Sequence, residues 1–131
     1  MGYKDIEPYG TQDIRTPTLS QLARDGARFT NFYSAAPMCA PARAALLSGQ
    51  YPERVGVARN PVGTEGLAKG HDTIALKLAE AGYDTALFGK WHLGAEANSS
   101  PRAQGFQEFL GFYPWTISYY SHQSVTGEPG L

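Results

Sequence analysis

The chain has 131 residues, enough for one domain with a buried core, and is 42% hydrophobic and 18% charged with a formal net charge of −1. No basic block points to nucleic acid, no acidic run points to a solvating tail, and no apolar stretch approaches the roughly 20 residues that cross a bilayer. A single cysteine, Cys39, excludes an internal disulfide framework and a thiol-rich zinc site, and leaves the redox compartment open.

The opening "MGYKDIEPYG" lacks the charged and apolar regions of a secretory signal. The closing "SVTGEPGL" stops in turn-forming residues. Both ends read as abrupt, so the expectation is a piece of a longer protein with Met1 as an internal residue. A targeting segment upstream remains compatible with that.

In chain order, "TPTLSQLARDGARF" predicts a short helix with Thr16 as N-cap and Pro17 at its first position. Leu19, Leu22 and Ala23 form its buried stripe and Gly26 its stop. "RFTNFYSA" alternates apolar and polar residues, which predicts a strand over Phe29 to Tyr33. A second helix starts at Pro41, is carried by Ala44, Ala45, Leu46 and Leu47, and ends at Gly49. Tyr51 to Gly70 reads as loop, rich in proline and glycine. "HDTIALKLAEAGYDTALFGKWHLG" predicts a helix, a stop at Gly82 and a buried strand from Thr85 to Phe88, running straight into Gly89, Lys90, Trp91 and His92. Helix followed by buried strand is the repeating unit of an α/β protein. The aromatic tail "GFQEFLGFYPWTISYYSHQ" has no clear assignment.

The chemistry-bearing residues cluster in two stretches. Cys39 lies at the start of its helix, where unpaired N–H groups and the helix dipole favour an anion, either a thiolate or a bound oxyanion. Arg43 projects from about one turn further in and reaches the same region as a bidentate oxyanion donor. Lys90 and His92 fall beyond the carboxyl end of a strand, where ligands collect in open α/β sheets. Being two apart, they project the same way if the strand continues. The bland alternative is a buried cysteine, a surface arginine, a solvated lysine and a structural histidine.

"CAPARAALLSGQYP" resembles the sulfatase signature, Cys-x-Pro-x-Arg followed by a Leu-Leu-(Ser/Thr)-Gly run, and "GKWHLG" resembles the second signature of the same family. The two stand in the family's order with a helix–strand unit between them. "RTPTLSQLARDGARFTNFYSAAPMC" and "GFQEFLGFYPWTISYYSH" fit as well, so the resemblance covers nearly the whole chain. It implies an α/β, alkaline-phosphatase-like fold, a mixed sheet flanked by helices. Here that fold is expected to be incomplete at both ends, with residues 1–131 as the N-terminal part of the catalytic domain.

The implied activity is hydrolysis of a sulfate monoester to an alcohol and inorganic sulfate. In the family the cysteine at the position of Cys39 is oxidised to formylglycine, whose hydrate is the nucleophile. A thiolate attacking sulfur would leave a sulfo group with no easy exit, whereas a geminal diol attacks with one oxygen and expels sulfate through the other. Carried over by resemblance, Arg43 holds the formylglycine oxygens, Lys90 binds a sulfate oxygen, and His92 hydrogen-bonds the diol and moves the closing proton. A maturation enzyme reads Cys39, Pro41 and Arg43. Ala42, where many members have Ser, bears on the maturation route.

The family's divalent cation, usually Ca2+, meets the diol made from Cys39, which makes residue 39 a metal ligand too. Its other ligands are an Asp-Asp pair and a later Asp-Asn pair. By the resemblance these fall just before Met1 and beyond Leu131. Asp5, Asp13 and Asp25 match no metal motif and read as solvated or capping carboxylates, and neither His71 nor His122 carries a role over. A phosphate or phosphonate ester hydrolase of the same superfamily, a non-catalytic binder of sulfated glycans and a conventional cysteine hydrolase are the rival readings. The substrate stays open among aryl sulfates, sulfated glycans and sulfolipids. The family works mostly in the periplasm, outside the cell or in lysosomes.

Overall fold

In the computed structural model, residues 2–61 and 65–124 are described. Met1, the centre of the glycine-rich loop at 62–64, and the end of the chain from 125 onward lie outside the described residues. Two compact units make up the chain, residues 1–33 and 34–131.

The first unit holds two 3-10 turns, Tyr3–Asp5 and Glu7–Tyr9, and helix α1, Pro17–Asp25. Thr16 is the N-cap and Pro17 the first helical residue, as the sequence predicts. Thr16 does not cap with its own side chain. Instead the Glu7 carboxylate sits at the helix entry and accepts from Thr16 N at 2.8 Å and Ser20 Oγ at 3.0 Å. These hydrogen bonds, the one from the Thr16 backbone foremost, hold its pKa below the usual carboxylate value, and the helix dipole favours the anion there.

Two expectations fail in this unit. Leu19 and Ala23 are half-buried, but Leu22 is 68% exposed, because the packing partner of α1 is the short turn Glu7–Tyr9, too small to cover a full stripe. Phe29 to Tyr33 is irregular and exposed rather than a strand. No ladder partner lies alongside it among the described residues, and alternation alone supplies no hydrogen bonds. Phe29 instead packs against Phe32 at 5.8 Å between ring centroids, and its carbonyl accepts from the Tyr9 hydroxyl at 2.8 Å.

The second unit contains α2, Cys39–Ser48, a 3-10 turn at Pro52–Val55, α3, Ile74–Glu80, and two strands, β1 at Ala86–Lys90 and β2 at Glu108–Phe112. Helix α2 starts two residues earlier than Pro41. It ends where Gly49 takes the left-handed φ of 66° and returns its N–H to the Ala45 carbonyl. In α3, Thr73 Oγ1 caps Leu76 N at 3.1 Å and donates to the Gln104 carbonyl at 2.6 Å, tying the helix to the turn before β2.

Strands β1 and β2 are parallel, with Ala86 opposite Glu108 and Lys90 opposite Phe112. Residues 91–107 make the crossover, a length that suits a parallel connection. The aromatic tail therefore supplies β2 and, beyond it, an isolated antiparallel bridge between Ile117 and Ser124. Strand β1 begins one residue later and ends two residues later than the expected Thr85 to Phe88. It is covered on one face only, since Phe88 is 68% exposed.

The core gathers Ala40 and Ala44 of α2, Val55 and Val57 from the loop, and Leu67, Trp91 and Leu93. Leu87, Phe106, Phe109 and Tyr113 pack around them. Ala40, Ala44 and Leu47 share one face of α2 at helical spacing. Burying Leu67, Leu93 and the Trp91 ring contributes about 2 kcal/mol or more for each side chain. The same packing fixes α2 against the end of β1.

Candidate active site

Helix α2 opens with Cys39 as its first residue and Pro41 as its third, where a missing N–H costs no intrahelical bond. Met38 at the N-cap makes no side-chain cap. The cap comes from the loop instead. Asn60 Oδ1 accepts from Ala40 N at 3.1 Å and lies 3.5 Å from Cys39 Sγ. Sequence reasoning missed Asn60. "RNP" reads as a turn, and only the burial of Pro52, Val55 and Val57 beside α2 brings the loop back.

One turn into α2, Arg43 Nη1 donates to the Lys90 carbonyl at 2.8 Å. This bond joins the helix of the first signature to the last residue of β1. It also commits one of the five guanidinium donors to the backbone, so Arg43 is less free for an oxyanion than the sequence implied. Lys90 and Arg43 are both half-buried. Among the described residues, neither forms an ion pair with a carboxylate.

Beyond Lys90 the ladder continues, with Trp91 N donating to the Phe112 carbonyl and His92 N to the Tyr113 carbonyl, both at 2.9 Å. The Trp91 indole donates to the Ser99 carbonyl at 2.9 Å, which locks the turn from beneath. His92 then takes φ of 59°, an uncommon left-handed backbone for a residue with a side chain. Strand alternation therefore stops at that point and does not decide where the imidazole goes.

His92 is only 6% exposed, and its Nδ1 is buried without a hydrogen-bond partner among the described residues. Burial first, then the positive charges of Lys90 and Arg43, push its pKa down from 6.5 to about 4. The imidazole is thus neutral at neutral pH and keeps a free nitrogen. The structure brings Arg43, Lys90 and His92 together, and Cys39 stands one turn from Arg43 on the same helix. Such a set offers an anion two fixed positive charges and a neutral base.

Among the described residues, no three or more His, Cys, Asp or Glu side chains gather to hold a metal ion. Asp5, Asp13 and Asp25 are exposed. The residues present do not by themselves fit the several-oxygen shell of Ca2+. A cleft of about 350 Å³ lined by Arg59, Glu65, Glu96 and Asn98 contains none of Cys39, Arg43, Lys90 or His92.

Against known proteins, the model of the sulfatase family matches residues 1–130. The chain belongs to the sulfatase family. Human arylsulfatase A is 45% identical over 134 residues, covering 98% of this chain and 26% of that protein. Mouse steryl-sulfatase is 40% identical over 125 residues, covering 85% of this chain and 20% of its own length. The crystal structure of Ps i-CgsB in complex with k-i-k-neocarrahexaose superposes with a TM-score of 0.83 at 34% identity, over 94% of this chain and 28% of that one. The chain thus spans about a quarter of the relatives it matches, and its two parallel strands and helices are a partial sulfatase fold.

Proposed function

We propose that the chain is the N-terminal part of a sulfatase catalytic domain, and that the complete protein hydrolyses sulfate monoesters through a formylglycine made from Cys39. The observation that carries this reading is the bond from Arg43 Nη1 to the Lys90 carbonyl, which joins the helix of "CAPAR" to the "GKWHLG" turn beside buried His92. The relatives are named for aryl, steryl and N-acetylgalactosamine sulfates, so the feature they share is the sulfate ester.

In this reading a maturation enzyme recognises Cys39, Pro41 and Arg43. With an external oxidant it oxidises Cβ by two electrons to the aldehyde; the C–S bond breaks, the sulfur leaves as hydrogen sulfide, oxygen takes its place on Cβ, and water hydrates the product. One diol oxygen attacks sulfur as the sulfur–oxygen ester bond breaks, and the proton lost from that hydroxyl ends on the departing alcohol. The second hydroxyl gives its proton to neutral His92, the carbonyl re-forms, and sulfate departs. Arg43 holds the diol side of the adduct, and Lys90 balances charge on the sulfate oxygens in the transition state. A cation such as Ca2+ would take its carboxylates from outside the described residues.

Mass spectrometry of the peptide carrying residue 39, from the complete protein made in its native host, tests the nucleophile. The expected mass is that of the aldehyde or its hydrate, and an unmodified thiol sinks the mechanism. Rates on matched aryl sulfate and aryl phosphate esters test the substrate class. Faster phosphate cleavage would move the reading to the phosphate hydrolases of the superfamily.

A further inference from the structure

We propose that Asn60 is a positioning residue for the side chain at 39, a role that rests on the formylglycine reading above. A single atom carries the argument. Asn60 Oδ1 accepts from the Ala40 backbone N–H at 3.1 Å and lies 3.5 Å from Cys39 Sγ. The Ala40 N–H has no intrahelical acceptor at this position, so the bond fixes which end of the carboxamide faces the helix. The same oxygen is thereby held at an acceptor distance from whatever residue 39 carries.

The geometry has a consequence for the diol. A geminal diol has two equivalent hydroxyls and a freely turning Cα–Cβ bond, and productive attack needs one oxygen aimed at sulfur while the other waits to be deprotonated. An acceptor fixed by the helix backbone breaks that equivalence, because one hydroxyl donates to Asn60 Oδ1 and sets the rotamer. The site it serves is marked independently by the buried, unpartnered Nδ1 of His92 and by Arg43 on the next turn of α2. Asn60 itself is half-buried in the loop that packs back on α2, so its position is set by the fold rather than by substrate.

The test uses the complete protein, with Asn60→Ala, Asn60→Leu and Asn60→Asp compared with the wild type on an aryl sulfate, each rate divided by the fraction of residue 39 present as aldehyde. Asn60→Ala and Asn60→Leu are expected to lower kcat per modified site by about tenfold to a hundredfold with KM within about twofold, since a misaimed nucleophile still binds substrate. Asn60→Asp keeps the acceptor oxygen and is expected to recover most of kcat. A role limited to capping α2 would lower the melting temperature of Asn60→Ala while leaving kcat per modified site unchanged below it. That outcome overturns the proposal. So does an Asn60→Asp variant that is folded, modified and no faster than Asn60→Leu. Should Asn60→Ala fail to fold, the Asp and Leu pair still decides. Failure of the underlying reading looks different, as a wild-type protein with a thiol at residue 39.

Discussion

His92 is held neutral at a pH where most histidines have begun to charge, and that has a signed consequence. Unfolded, it titrates near the ordinary value of about 6.5; folded, near 4, because burial and the charges of Lys90 and Arg43 oppose the imidazolium. Between those values the unfolded chain binds a proton that the folded chain does not, so the contribution is complete above about pH 6.5 and is lost as pH falls toward 4. Its size is on the order of 1–3 kcal/mol. Urea midpoints of the complete protein at pH 7 and pH 4.5 should drop for the wild type and drop less for His92→Asn. Asparagine tolerates the left-handed backbone at this position, so that variant removes the imidazole without adding strain. Equal drops would place the acid sensitivity elsewhere.

Arg43 both joins two elements and carries charge into the site region. Its guanidinium spans from α2 to the Lys90 carbonyl with one N–H, out of the five donors of the fork. Lysine at that position has a point charge and no planar fork. Arg43→Lys is expected to lower kcat/KM on an aryl sulfate by about a hundredfold or more. The stability cost of the lost charged hydrogen bond is about 1–2 kcal/mol. A variant within about threefold of wild-type kcat/KM would show that the arginine serves only to join helix and strand.

Among the elements, the parallel pair β1–β2 depends on a facing pair of glycines. Gly89 stands opposite Gly111 in the register, and a Cβ at Gly111 would run into the Gly89 carbonyl oxygen, part of the rigid backbone of the neighbouring strand. Gly111→Ala therefore has to part the strands three residues from His92. It is expected to destabilise the complete protein by about 2 kcal/mol or more and to reduce turnover with it. A melting temperature unchanged by the substitution would show that the ladder has slack.

Local signals in the sequence carry the helix ends, and contacts between remote segments carry the rest. Helix α1 was readable from Thr16, Pro17 and Gly26, and α2 and its end from Pro41 and Gly49, because caps and breakers act within a turn of where they stand. Helix start and strand end mark Arg43, Lys90 and His92 as candidates for one anion site, and the family resemblance is what favours their meeting over the bland alternative. Strand β1 starts one residue and ends two residues later than its expected span and is half-exposed, since burial depends on what lies across the sheet. Phe29 to Tyr33 has the right alternation but no ladder partner among the described residues. Asn60 was invisible because its role is made by a loop folding back over 20 residues of chain.

For the whole molecule, the uncovered side of the sheet matters most. Phe88 and Leu110 are register partners, and both stand in solvent, at 68% and 71% exposure. Adjacent large apolar side chains on an open two-stranded sheet invite association. The 131-residue polypeptide alone is expected to self-associate in sedimentation and to show no arylsulfatase turnover, and Phe88→Ser with Leu110→Ser should reduce the association. A monodisperse, active monomer would refute both halves.

The indole beneath the turn offers a way to watch all of this. Trp91 is enclosed, its N–H on the Ser99 carbonyl and its ring nearly perpendicular to Phe106 at 6.1 Å between centroids, whereas the chain's other tryptophan, Trp115, is half exposed. Within this segment the two fluorophores should separate by colour and by quencher access, a blue, acrylamide-resistant emission from the former and a red, readily quenched one from the latter. Because residue 91 is flanked by both Lys90 and His92, sulfate arriving there should perturb the blue component first.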